Sequence, residues 1–343
     1  MNLHRCAIVP PLPPLVSGAT GLALVLLVLL GSGCESGPSP VASEWSGSWK
    51  PVRGGAKNAS AEKLRAECRK AFDAGSYEDA ILGLKALRER FPSTAAAKDV
   101  ETSFLLAESH YRLGEKRYAE AYPYYLEVLK GTPPEDMLKT TLNRVYDIGI
   151  AFLYGRSKKS FLGILQYSSP SFGVEILTGE NGLVTNYPFL TISEDALMEV
   201  AKHYFDGKEY EEAEHVYERM SRDYPQSPWN QTAEYQLALA VYRQIRGIDY
   251  DQQALRRARE KLNLYLNHHP RGSQVEEARR LLHQIAEWEG MHDLRIAKYY
   301  LGESQPQAAM LYLRSVFIDN PKTDAAREAR EIYENLEKLR GGT

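Results

Sequence analysis

The sequence is poor in cysteine. It has three among 343 residues, Cys6, Cys34 and Cys68, and no CxxC pair, so no disulfide framework is expected. Neither charge is in surplus: 42 Lys and Arg stand against 45 Asp and Glu, a formal net charge of −3. Without a basic excess or a Lys/Arg block there is no electrostatic footprint for nucleic acid. A glycine-rich phosphate loop, a GxSxG nucleophile motif and an HExxH helix are all missing. The eight histidines are scattered, and the pair His268-His269 with His283 has no cysteine or carboxylate pair to complete tetrahedral zinc ligation. Acidic residues abound, but three or four places from Arg or Lys, as on a solvated helical face. These absences point away from an enzyme, and no metal, cofactor or small-molecule substrate is expected. Cys68 is expected to pack as a small hydrophobe between helices.

Long apolar runs are also lacking. Residues 21–30, GLALVLLVLL, form a continuous one, preceded by a single positive charge at Arg5. A membrane-crossing helix needs about 20 apolar residues, whereas a signal-peptide core needs about 7–15. The run ends in Gly31-Ser32-Gly33 and then Cys34. That ending resembles the bacterial lipobox, with Leu30 one place further from the cysteine than usual. The resemblance implies cleavage after residue 33 and a covalent lipid on Cys34, leaving a mature chain of 343 − 33 = 310 residues. A diacyl anchor adds about 0.8 kcal/mol per buried CH₂, enough for stable attachment. Glu35 follows the cysteine, where an aspartate would resemble an inner-membrane retention signal, so the outer membrane is expected.

Residues 34–57 read as a lipidated N-terminus and flexible tether, rich in Gly, Ser and Pro and without helical periodicity. At about 5–6 Å times the square root of length, such a tether spans on the order of 25 Å. Trp45 and Trp49 within it are read as exposed.

Beyond residue 58 apolar residues recur at spacings of three and four, the helical period. A count of twelve then repeats. Ala80, Ala121, Ala213, Ala258 and Ala309 precede Pro92, Pro133, Pro225, Pro270 and Pro321 by twelve positions each. Four residues after the alanines stand Leu84, Tyr125, Tyr217, Leu262 and Leu313, and seven after stand Leu87, Val128, Met220, Tyr265 and Val316. Positions i, i+4 and i+7 share one helix face, so each unit has a buried stripe led by its smallest member. Alanine admits a neighbouring helix closely, and proline ends the helix.

This pattern resembles the second helix of a tetratricopeptide (TPR) repeat. First-helix positions agree best before Ala213, at Leu197, Val200, Ala201 and Tyr204. They recur at Leu64, Cys68 and Ala71 in the first unit and at Ile296, Ala297 and Tyr300 in the last. The alanines stand 41, 92, 45 and 51 apart, and the 92-residue step leaves room for a degenerate unit with Ile176 twelve before Pro188. Gly179 and Gly182 are expected to weaken its helix by up to about 1 kcal/mol each. The fold class is therefore all-α: TPR-type helical hairpins, five clear and one degenerate, stacked in a right-handed superhelix. Residues 58–154 read as N-terminal repeats, 155–190 as an insertion with the degenerate repeat, and 191–343 as C-terminal repeats with a charged closing helix at 322–340.

A lipobox, a short tether and such repeats together resemble the BamD family, the lipoprotein of the β-barrel assembly machinery. The most specific stretches are KLRAECRKAFDAGSYEDAILGLKALRERFPSTAAAKD in the first unit and IAKYYL followed by AAMLYLRSVFIDNPKT in the last. The family has five repeats in a shorter chain, and 155–190 has no counterpart in it. The resemblance implies a non-enzymatic scaffold at the outer membrane, facing the periplasm. Its partners would be unfolded outer-membrane protein clients and a β-barrel subunit with POTRA-type domains. Carried onto this sequence, it gives a candidate peptide groove at Arg65, Arg69 and Phe72, where two arginines one turn apart suit a terminal carboxylate. It also gives a candidate docking face at Met198, Lys202, Phe205, Leu294 and Lys298. The alternative is a TPR adaptor lipoprotein of another envelope process, such as the CpoB-like coordinators of cell-wall synthesis. Those carry a coiled coil before the repeats, and residues 35–57 show no heptads.

Overall fold

The count of twelve becomes a series of helical hairpins in the computed structural model, which describes residues 55–161, 165–245, 247 and 252–341. The expected signal segment and lipidation site Cys34, with Trp45 and Trp49, lie outside the described residues.

The first hairpin is α1 (Gly55–Asp73) and α2 (Tyr77–Arg90); a short α3 (Ala95–Lys98) leads to the second, α4 (Val100–Arg112) and α5 (Tyr118–Lys130). Then come α6 (Glu135–Leu153), the strands β1 (Lys159–Phe161) and β2 (Leu165–Tyr167), α7 (Pro170–Thr178) and the short α8 (Leu183–Asn186). The fourth hairpin is α9 (Thr191–Asp206) with α10 (Tyr210–Asp223), and the fifth is α11 (Asn230–Arg243) with α12 (Gln252–His268). The last joins the long α13 (Val275–Gly302) to α14 (Pro306–Asp319), and α15 (Asp324–Gly341) closes the series. Helix α1 packs on α2, α4 on α5, α6 on α7, α9 on α10, α11 on α12 and α13 on α14, while α15 covers α14.

Every member of the three repeated columns is buried: the five alanines, the residues four after them, and those seven after. Four of the five prolines act as read, while α5 ends earlier, at Lys130, with Gly131 as its cap before Pro133. Phe91, Tyr224, His269 and Asn320, each immediately before a proline, give the last helical N–H bond, to Leu87, Met220, Tyr265 and Val316. Phe91, Tyr224 and Asn320 then leave the helix at nearly one geometry, φ −126 to −129° and ψ 44 to 58°. Steric conflict with the proline ring disfavours the α region for the residue before it, so the helix goes no further.

The third hairpin departs from the pattern. The sequence suggests one weak helix over 172–190, but the chain makes two short ones. Helix α7 stops at Thr178 and α8 starts at Leu183, because Gly179 and Gly182 fold the backbone onto the helix end. A Cβ on Gly179 would stand 2.6 Å from the Glu175 carbonyl. Ile176 is fully buried, yet Pro188 follows α8 and does not end the helix that carries Ile176. Glycines take over the role of the contact alanine here. A Cβ on Gly173 would lie 2.4 Å from the Leu153 amide nitrogen and 2.7 Å from the Gly149 carbonyl, so α6 and α7 meet backbone to backbone. The segment read as an irregular insertion holds an antiparallel two-stranded hairpin, with Lys159 opposite Tyr167. The ammonium of Lys159 sits 3.4 Å from the centre of the Phe172 ring, tying that hairpin to α7.

One apolar core runs from Ala107 to Ile285 and includes Ile176, Leu177, Leu183 and Val184, so it passes through 155–190 without a break. A second cluster joins Leu294, Ala297, Leu313 and Val316 to Ala325, Ala326 and Ala329 of α15. The helix expected beyond residue 58 begins at Gly55, within the stretch read as tether, where no proline stands between Pro51 and Pro92 to prevent it.

Candidate functional site: the first-helix face

The groups that chemistry would use are buried or engaged. Cys68 has no exposure, and burial pushes its thiol up to about 12, which keeps it protonated and inert. His268 Nδ1 and His269 Nε2 both face the carboxylate of Glu234, at 2.9 and 3.2 Å. His283 lies on α13, along the cleft beside α15. Among the described residues no cluster of His, Cys, Asp or Glu is disposed to hold a metal ion.

The first hairpin brings Arg65 and Arg69 together as one face of α1, but with acids of its own chain. Arg65 is paired with Asp99 and lies 2.8 Å from Glu62 and 3.7 Å from Glu101. Arg69 reaches Glu101 at 2.6 Å and Asp73 at 3.4 Å. Two guanidinium groups thus meet four carboxylates, two of them from the junction leading into α4. A peptide carboxylate would have to displace Asp99 or Glu101. Phe72 packs edge-on against Tyr77, ring centres 5.5 Å apart.

The five docking-face residues do not form one surface. Met198 and Leu294 are buried, at 9% and 5% exposure, and belong to the two apolar clusters. First helices in a stack are covered by their own second helix and by the next hairpin, so their apolar positions face inward on two sides. Lys202 is exposed, and Phe205 is half-buried against Tyr210. Lys298 is exposed and pairs with Glu328 at 2.5 Å across a cleft of about 660 Å³ between α13 and α15. In that cleft the Glu287 carboxylate accepts the Asp324 and Ala325 N–H groups at 2.8 and 2.9 Å, capping α15.

The middle hairpins carry an arrangement that single-helix periodicity did not reveal. Three aromatic side chains each donate to a carboxylate on a neighbouring first helix. Tyr111 at the end of α4 donates to Asp147 of α6 at 2.7 Å. Tyr154 at the end of α6 donates to Glu199 of α9 at 2.5 Å. Trp229, just before α11, donates to Asp195 of α9 at 2.7 Å. Burial and the Asp147 bond push the Tyr111 hydroxyl well above its ordinary value. Tyr146 lies among Glu199, Asp195 and Asp147, and burial with these charges pushes it up to about 12.

Beneath the first pair, Glu108 is buried and accepts from Tyr125 at 2.6 Å, Arg144 at 2.9 Å and Arg112 at 3.2 Å. The Arg144 guanidinium also stacks over the Tyr111 ring at 4.3 Å. The partners in the three aromatic–carboxylate bonds stand 34 to 45 residues apart, one hairpin's length. The usable signal is a polar aromatic at an end of a first helix one repeat from an acid on another, before it for Tyr111 and Tyr154 and after it for Trp229.

A family model described as YfiO, outer membrane lipoprotein, matches residues 180–343. Comparison with curated proteins gave no match. Among solved structures, the crystal structure of the P58(IPK) TPR domain is 15% identical over 82% of this chain and 67% of its own, with a TM-score of 0.27. The TPR2AB domain of yeast Sti1, in a complex with pHSP90, is 15% identical over 81% of this chain and 99% of its own, with a TM-score of 0.24. At these scores neither neighbour bears on the geometry of this chain, and the hairpin assignment rests on its own packing. Among the described residues no helix is long and apolar enough to cross a membrane.

Proposed function

We propose that this chain is a lipid-anchored scaffold of the outer membrane that holds other proteins together and performs no chemistry itself. The finer reading is a BamD-like component of the β-barrel assembly machinery, facing the periplasm. The observation that carries it is the match of the outer-membrane-lipoprotein model to residues 180–343, which cover α8 to α15 and include three of the five alanine–proline units. Cys34 would take the lipid, and the first-helix face would take the partners. A POTRA-bearing barrel subunit would dock on the later hairpins, and unfolded clients would meet the first.

A second reading has its own support. The matched stretch leaves out the first two hairpins, the β1–β2 hairpin and the glycine contact of α6 with α7. These parts suit an envelope adaptor that shares the architecture and serves another process.

One experiment separates the two: purification of the tagged protein from gently solubilised membranes, with co-purifying chains identified by mass spectrometry. A large β-barrel protein with periplasmic POTRA-type domains is the expected companion. Cell-wall enzymes or tethering proteins in its place would make the second reading the right one.

A further inference from the structure

The chain shows how its own first-helix face holds a cation. Tyr111 donates to Asp147, and Arg144 lies with its guanidinium 4.3 Å over the Tyr111 ring and 3.8 Å from the Asp147 carboxylate. Ring and carboxylate act together, the ring through its negative face and the acid through its charge. One hairpin further on the same pair recurs, with Tyr154 donating to Glu199. The position matching Arg144 holds no cation there. Arg144 stands three residues before Asp147, and three before Glu199 stands Ala196.

The surroundings of the second pair favour a positive charge. Asp206 adds to the field at Tyr154, and Asp195 adds to the field at Tyr146 beside it. Against these acids stand Lys202, exposed and three residues past Glu199, and His203, whose ring lies edge-on to Tyr154 at 6.3 Å. Arg144 is committed to Glu108. Tyr154 keeps 43% of its surface exposed and Trp229, bonded to Asp195, keeps 42%, so aromatic faces and carboxylates are open to solvent together.

We infer that the Tyr154–Glu199 pair is a receptor for an arginine side chain on an extended segment of a partner protein. Arginine fits better than lysine because its planar guanidinium can stack on the tyrosine while donating to the carboxylate. The inference takes from the scaffold reading only the nature of the ligand, a protein segment. It stands whichever envelope process that partner serves.

The test is calorimetric titration of the full chain with a capped glycine–arginine peptide and with the same peptide carrying citrulline for arginine. The arginine peptide binds, and the citrulline peptide is weaker by about tenfold or more, the loss of one desolvated cation–aromatic and ionic contact. Glu199→Gln brings the arginine peptide down to the citrulline level, while Asp147→Asn, whose carboxylate already has a cation, leaves affinity within about twofold. Equal binding of the two peptides by the unaltered chain overturns the inference, and that comparison needs no variant to fold. So does undiminished binding to Glu199→Gln, or an absence of binding altogether. Failure of the co-purification with success here would change the partner's identity and leave this face standing.

Discussion

Tyr125 of α5 donates its hydroxyl to the carboxylate of Glu108 of α4 at 2.6 Å, and both side chains are buried. The tyrosine occupies a column that holds leucine in three of the five units, so its ring fills a core position while its hydroxyl serves a charge. Arg144 and Arg112 complete the shell, and α4, α5 and α6 are held through one carboxylate.

Tyr125→Phe keeps the packing and removes one of three donors to Glu108. The expected loss is about 1–3 kcal/mol of stability, from an under-satisfied buried charge. Urea unfolding measures it. A loss below about 0.5 kcal/mol, the scale of surface substitutions, would show that the arginines alone satisfy Glu108.

His110 should make the protein acid-sensitive. It is buried, stacks on Tyr124 at 5.8 Å, and among the described residues neither ring nitrogen has a hydrogen-bond partner. Burial, then the nearby charges of Lys85 and Arg117, bring it from 6.5 down to about 4. Between those values the unfolded chain binds the proton and the folded chain does not. Stability is therefore whole above pH 6.5 and falls as pH drops toward about 4, by about 1.4 kcal/mol per unit from this group. His110→Leu should flatten that part of the profile. An unchanged slope would assign the acid sensitivity to other groups.

The residues explain what was legible beforehand and what was not. Ala213, Tyr217 and Met220 could be read because their relation is local: one helix, one face, one proline beyond it. Gly179 could be read as a weakness but not as a break, since that depends on how α8 returns to the end of α7. Strands of three residues, 159–161 and 165–167, are too short for alternation to show. Met198 and Leu294 read as surface from the sequence because the periodicity of a first helix does not tell which apolar positions the next hairpin covers. The Tyr154–Glu199 pair was hidden for a related reason. Its members lie 45 residues apart, and only the stacking of α6 on α9 brings them together.

Gly173→Ala tests the third hairpin. The added methyl would meet the backbone of α6 at 2.4 Å, which no side-chain rotation relieves, so the two helices must separate. Overpacking of this kind costs about 1–3 kcal/mol. The expected result is a lower melting temperature with faster protease cleavage within 155–190. An unshifted melting curve would mean that α7 can move away from α6 without loss.

The first hairpin offers the sharpest test of client binding. Arg65→Glu with Arg69→Glu would set new acids against Asp99 and Glu101 and loosen the junction of α1 with α4, so lost binding could come from lost structure. The informative change is the reverse one, Asp99→Asn with Glu101→Gln. It removes the two carboxylates that compete for the guanidinium groups. Asparagine caps a helix about as well as aspartate, so the start of α4 survives. If Arg65 and Arg69 receive a client's terminal carboxylate, a peptide ending in an aromatic carboxylate should bind the double variant about tenfold more tightly, the effect of roughly 1.4 kcal/mol less competition. Calorimetry on both proteins decides it. Equal or weaker binding to the variant would remove the first hairpin as the client site and leave Arg65 and Arg69 as fastenings between the first hairpin and the second.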